Sequence, residues 1–418
     1  MTEPLSTTLR IDGQRLWRSL MDLAQIGATP KGGNCRLALT EEDRLGRELV
    51  TGWLRDAGMT LGVDQMGNIF ARRAGRRDDL PPVVTGSHLD TQPTGGRFDG
   101  CYGVLAGLEV IRVLNDHGIT TEAPLEVVIW TNEEGCRFVP VMMGSGVHAG
   151  IIPLEDALAA KDRDGDTVAA SLERIGYAGD IPMGSRTFGA YIESHIEQGP
   201  VLEAEGIAVG AVTGSLGLRW FDVVVTGQEA HAGPTPMLYR RDALKRAAEL
   251  IGDILALADP HQPHGRVTCG EFELYPNSRN VIPGRVTFSV DIRHLESSTL
   301  EQMEQALRDA CVRHSELGKV TVELRDVQRV PPTPFDADLV NLIRTSSDTL
   351  GIPYRDIETG AGHDAVFISR VAPTAMIFVP CEDGISHNES ENATPEDLEA
   401  GANVLLHTML SKAGVAAS

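Results

Sequence analysis

The chain has 418 residues, 42% of them hydrophobic and only 5% aromatic, more than one ordinary core holds, so two domains of an Ala/Val/Leu-rich α/β protein are expected. A formal net charge of −22 excludes a nucleic-acid binder, because neutralising phosphates needs clustered Lys and Arg. The six scattered cysteines form no CxxC pair, no basic-plus-apolar leader opens the chain, and no apolar run reaches about 18 residues; a disulfide framework and a membrane span are excluded, and a soluble, cytoplasmic protein is expected.

Residues 11–26 and 41–57 repeat apolar positions at helical spacing, and Thr40-Glu-Glu-Asp caps the second helix. Thr60–Arg72 reads as a hairpin turning at Gly67-Asn68. A short apolar strand, 83–87, opens Thr85-Gly-Ser-His-Leu-Asp-Thr-Gln-Pro-Thr-Gly-Gly-Arg-Phe-Asp-Gly100, which places His88, Asp90 and Asp99 in a Gly-punctuated loop. Imidazole and carboxylate are ligands that zinc accepts, and open α/β sheets put their sites at the carboxyl ends of strands. Residues 104–114 form a helix that is apolar on nearly all sides.

The buried strand Leu125–Trp130 ends in Thr131-Asn-Glu-Glu-Gly135. Adjacent side chains on an extended backbone point opposite ways, so Glu133 and Glu134 face different partners: one holds a metal while the other faces water or substrate. Tyr191-Ile-Glu-Ser-His-Ile-Glu-Gln-Gly199 adds a third polar cluster with His195 and Gln198, and residues 201–205 read as helix. Strands at 220–226, 267–272, 286–293 and 320–325 and helices at 241–258 and 299–315 then spell βαββαβ, a small sheet with both helices on one face. The Pro-rich Val330–Pro334 is the expected linker. Helix 336–350, Gly360-Ala-Gly-His-Asp364, strand 375–379, a loop carrying His387 and helix 395–410 complete the chain. The domains expected are 1–212 with 330–418, a catalytic α/β unit with a mixed sheet, and 213–329, an inserted α+β unit. Three imidazoles and at least two carboxylates on separate strand-end loops suffice for two divalent metals if one carboxylate bridges.

Gly86-Ser-His-Leu-Asp-Thr91, Arg97-Phe-Asp-Gly100, Asn132-Glu-Glu-Gly135, His195-Ile-Glu-Gln-Gly199, Ala230-His-Ala-Gly233, Asp291-Ile-Arg-His294, Gly360-Ala-Gly-His-Asp364 and Gly384-Ile-Ser-His-Asn388 occur in that order. Together they resemble the dinuclear metal-dependent N-carbamoyl-amino-acid amidohydrolases: L-carbamoylases, β-ureidopropionases and allantoate amidohydrolases, in the clan of aminoacylase-like zinc peptidases. The resemblance implies a zinc-peptidase-like catalytic domain and an inserted lid and dimerisation domain, hence a homodimer. It implies that His88, Asp99 and His195 hold one metal and that Asp99, Glu134 and His387 hold the second. Asp90 would orient the His88 ring, and Glu133 would be the general base. His231 would stabilise the oxyanion, and Arg293 would pair the substrate carboxylate. Asn280, Gln198 and the backbone at Gly360, Ala361 and Gly362 would complete the substrate pocket. Zinc is the first expectation for both ions, with Mn, Co or Ni as alternatives.

An acidic residue stands at the position of His195 in wider peptidase members, so His195 points to the carbamoylase branch. Thr91-Gln-Pro93 and Thr131-Asn-Glu-Glu-Gly135 resemble β-ureidopropionase more than allantoate amidohydrolase. The expected activity is hydrolysis of the ureido C–N bond of N-carbamoyl-β-alanine or an N-carbamoyl-L-α-amino acid to amino acid, CO2 and NH3. The alternatives are an allantoate amidohydrolase, an aminoacylase or dipeptidase, or a binding protein that kept the fold. The resemblance assigns no role to His363 or Asp364, and the remaining histidines are read as structural.

Overall fold

Four buried strands position everything in the first unit. Leu125–Trp130, Val83–His88, Ala190–Ile196 and Thr374–Val379 lie side by side in that order, all parallel. Every residue in them is buried, since layers cover both faces, and apolar residues mark three of the four in the sequence, although Val83–His88 turns polar after Val84. The fourth, Ala190–Ile196, is not evident as a strand in the sequence, because Glu193, Ser194 and His195 interrupt its apolar run. Antiparallel strands flank the four. Ile69–Arg73 pairs with Leu125–Trp130 and, through a hairpin, with Thr60–Val63. On the other side Val209–Ser215 pairs with Thr374–Val379 and Tyr354–Thr359. The hairpin turn is held by Asp64, whose Oδ1 accepts from the Met66 and Asn68 amides at 2.9 Å each.

Residues 9–317 and 319–416 are described by the computed structural model. They divide into two compact units, one on either side of the sequence Gly214–Pro334 and the other comprising it. In the first unit the helices Gly13–Ala24, Cys101–Asp116, Ala337–Leu350 and Pro395–Ala413 share one large core with the sheet. Thr394 caps the last of these by accepting from the Asp397 amide, with Pro395 in its first turn. Three short helices, Met143–His148, Leu154–Ala159 and Val168–Ile175, form a satellite core with Ala38, Leu39, Met66 and Phe138. They span 6, 6 and 8 residues, too few for a helical period to stand out in the sequence.

The second unit is an antiparallel sheet ordered Thr321–Val330, Gly217–Thr226, Arg285–His294, Arg266–Tyr275. Alternate residues of its central strands, among them Phe221, Val223, Val286 and Phe288, pack against the helices Ala243–Leu255 and Ser297–Leu317. The Pro-rich segment is not a free linker: the last strand runs to Val330, and Thr333 and Pro334 pair with Ser215 and Gly214. Its extended form follows from proline, which disfavours helix in the residue before it.

Glu304 ties this unit together. It is 7% exposed, yet it meets Arg219, Arg308 at 2.7 Å and Arg329 at 2.6 Å. Burial alone would raise its pKa, but hydrogen bonds from Arg329 and Arg308 outweigh it and bring the value down to about 2. A Glu304→Gln variant is expected to lose about 1.5–3 kcal/mol, the range for hydrogen bonds to charged groups. Because the folded pKa lies below the ordinary 4.5, this stabilisation is present above pH 4.5 and is lost as pH falls toward 2. Thermal melts should show the gap between variant and parent close on acidification; a gap independent of pH would refute the assignment.

Candidate metal centre and active site

The carboxyl ends of the four parallel strands converge on one carboxylate. Asp99 Oδ1 lies 3.5 Å from His88 Nε2 and 3.1 Å from His195 Nε2. Its Oδ2 lies 3.3 Å from His387 Nε2, which is itself 3.4 Å from Glu134 Oε2. Two triplets result, His88/Asp99/His195 and Asp99/Glu134/His387, sharing Asp99. Burial would raise the Asp99 pKa, but the imidazoles of His195, His387 and His88 set against its oxygens hold it well below the ordinary carboxylate range.

These residues fit a pair of divalent cations. The spacings match the edge of a tetrahedron, about 3.3 Å, around an ion bound at about 2.0–2.1 Å. The imidazoles are also set in the tautomer a metal requires. His88 Nδ1 donates to the Asp90 carbonyl at 2.8 Å and His195 Nδ1 to the Ile196 carbonyl at 2.9 Å, which leaves both Nε2 lone pairs toward Asp99. The amide of Gly100 donates to His195 Nε2 at 3.2 Å, as it would only to a lone pair. Gly100 is required twice over: its φ is +67°, and a Cβ there would lie 2.4 Å from the His88 ring.

Glu133 and Glu134 face different partners, as their adjacency implied. Glu133 Oε2 lies 3.5 Å from His88 Nε2 and outside both triplets. Burial pushes its pKa well above the ordinary value, against the pull of His88. Burial and Asp99 together bring Glu134 up to about 7. Asp90 works differently from expectation. Its carbonyl, not its carboxylate, orients His88; the carboxylate lies 3.9 Å from Nδ1 and accepts instead from the amides of Glu133 and Glu134, each at 3.2 Å. It thereby fixes the turn that carries both glutamates.

A cavity of about 210 Å³ opens over the triplets and is lined also by Gln92, Val141, Met142, Gln198, Ala361, Gly362 and His363. Ala361 and Gly362 therefore stand where a substrate pocket was expected, with Gly360 one residue behind. Gln198 is turned toward the ligands: its Nε2 donates to Asp99 Oδ2 at 2.8 Å. His363 packs edge-on against His195, centroids 4.5 Å apart, and burial first, then the neighbouring His195, holds its pKa well below the ordinary imidazole value. Asp364 is buried on the Ser145 hydroxyl and joins neither triplet.

The three residues expected from the inserted unit lie in Gly214–Pro334. His231 is exposed on a two-residue strand paired with Val281, and its Nδ1 accepts from Gly233 at 3.1 Å, so Nε2 carries the proton. The Asn280 carbonyl accepts from the neighbouring Ala232 amide at 2.8 Å, so these two come together. The Arg293 Nε and Nη2 edge is taken up by Asp291, at 2.9 and 2.6 Å to Oδ2.

Sequence reasoning missed Glu391. Its buried Oε1 accepts from the amides of Phe98 and Asp99 at 3.0 and 3.2 Å, and its Oε2 accepts from Ser386 at 2.9 Å. One side chain thus clamps the loop that carries Asp99 to the loop that carries His387. Gly96 leaves room for it, since a Cβ there would fall 2.0 Å from the Glu391 carboxyl.

Two ligand triplets sharing a carboxylate at parallel strand ends, with a further buried glutamate alongside, are the arrangement of a metal-dependent hydrolase. The chain belongs to the peptidase family M20/M25/M40, which it matches over residues 84–411, and that family is metal-dependent. It is 45% identical over 406 residues to an N-carbamoyl-L-amino-acid amidohydrolase of Rhizobium meliloti, covering 97% of this chain and 98% of that one. It is 35% identical over 389 residues to an allantoate amidohydrolase of Bacillus subtilis, covering 92% and 93%. A solved amidase of the hydantoinase/carbamoylase family from Burkholderia multivorans is 57% identical, with a TM-score of 0.95 over 97% of this chain and 99% of that one.

Removing the Glu391 clamp should loosen the centre without unfolding the unit. Glu391→Ala is expected to retain metal about 10–100-fold more weakly, whereas Glu391→Gln, which keeps an acceptor for the two amides, should stay near the parent. Metal content after dialysis against graded chelator checks this; equal retention by Glu391→Ala would disprove the clamp.

Proposed function

We propose that the protein hydrolyses the ureido C–N bond of N-carbamoyl amino acids, releasing the amino acid, CO2 and NH3. The observation that carries the reading is the shared Asp99 with Glu133 beside it but outside both triplets. His88, Asp99 and His195 would hold one divalent cation and Asp99, Glu134 and His387 the other, zinc being the first candidate. Bound there, such ions polarise a carbonyl and acidify water toward neutrality. Glu133 takes a proton from the attacking water and passes it to the leaving nitrogen as the C–N bond breaks. Gln198 and the backbone at Gly360–Gly362 bind the remainder of the substrate, and His231, with its proton on Nε2, carries the kind of donor an oxyanion needs.

Of the two substrate types open from the sequence, the likeness to the Rhizobium meliloti enzyme favours N-carbamoyl-L-α-amino acids. Allantoate fits less well, given the lower identity to its amidohydrolase. Thr321–Val330 and Arg266–Tyr275 are the outermost strands of the second unit's sheet, the place where a second copy would pair in the homodimer that the family resemblance implies. All six cysteines are free, in keeping with a cytoplasmic home, and no helix among the described residues is long and apolar enough to cross a membrane.

Ammonia release from N-carbamoyl-L-methionine, N-carbamoyl-β-alanine and allantoate, assayed together, should be greatest with the first and should vanish with chelator. Turnover of allantoate alone would reject the substrate class. Glu133→Gln should cut kcat by about 10²–10⁴-fold with metal content unchanged, the contribution of a positioned general base. Retained activity in that variant would remove Glu133 from the role.

A further inference from the structure

Gln92 lines the cavity, yet both ends of its amide are already engaged. Its Nε2 donates to Glu134 Oε2 at 2.6 Å, on the same oxygen that faces His387. Its Oε1 accepts from the Cys136 thiol at 2.9 Å. The orientation is fixed by chemistry: a flipped amide would set its oxygen against the Glu134 carboxylate. Gln92 follows the His88 strand and Cys136 follows the Leu125–Trp130 strand, so the chain of contacts ties two strand-end loops together.

We propose that Gln92, locked by Cys136, is a positioning residue that sets Glu134 for the second cation. The inference rests on the dinuclear reading above. A carboxylate oxygen has two lone-pair directions; with one taken by the Gln92 amide, the other is aimed at the space shared with His387 and Asp99. A carboxylate on an unsupported side chain would lose rotamer freedom on binding the ion, and Gln92 removes that cost beforehand. With its nitrogen on Glu134 and its oxygen on Cys136, Gln92 acts through Glu134.

The test is calorimetric titration of metal-free protein with Zn2+ alone, and separately with Mn2+ alone, together with thermal melts of the metal-free forms. The parent should show two binding events. Gln92→Leu, similar in bulk but without a donor, should weaken one event by about 10–100-fold and leave the other unchanged, with the metal-free melting temperature little altered. Cys136→Ala should weaken the same event less, and Cys136→Ser, which restores a donor to Oε1, should recover it. Unchanged binding in Gln92→Leu, or equal weakening of both events alongside a lowered metal-free melting temperature, would overturn the assignment while leaving the dinuclear reading intact. A parent that binds fewer than two ions would defeat both.

Discussion

Asp99 is the carboxylate on which the architecture converges. Three imidazoles from three different strand-end segments meet its two oxygens within 3.5 Å. A buried carboxylate so placed is tolerable only when the groups around it are held against their own disorder. Much of the surrounding structure does that holding. Glu391 grips the backbone at Asp99, main-chain carbonyls set the His88 and His195 rings, and Asp90 ties down the glutamate turn. The parallel strands supply the rigidity, and hydrogen bonds at their ends supply the aim.

The polarity of the site is asymmetric. His88, His195 and Asp99 are nearly inaccessible, whereas His387 sits on a loop with its side chain half exposed. One triplet is therefore built into the sheet, while the other is completed by a loop that depends on Glu391 and Ser386 for its place. His363 adds a neutral, edge-on wall behind His195, keeping charge away from an imidazole whose lone pair is committed.

The candidate site residues could be picked out because their chemistry is local: His88, Asp99, Glu133 and Glu134 follow apolar strands or sit among glycines. The supporting groups were not, since nothing near Glu391 in sequence reveals that it reaches the amide of a residue 292 positions away. Cys136 reads as a scattered thiol until Gln92 is found beside it. Sequence does not distinguish a side-chain acceptor on Asp90 from the carbonyl of the same residue, and it is the carbonyl that meets His88 Nδ1. The strand Ala190–Ile196 hid behind its own function, its polar residues breaking the pattern that marks a buried strand. The βαββαβ unit read clearly, as its helices and strands are long and strongly periodic.

The order of the ligands along the chain has a consequence for synthesis. His88, Asp99 and His195 lie on or beside strands that pair directly, Val83–His88 with Ala190–Ile196, and all precede residue 214. His387 follows the whole of Gly214–Pro334. A ribosome therefore makes every ligand of the first triplet before it begins the inserted unit, and the last ligand of the second only after that unit is finished. The two halves of the centre differ in birth date, and the Glu391 clamp on Asp99 arrives only with the later one.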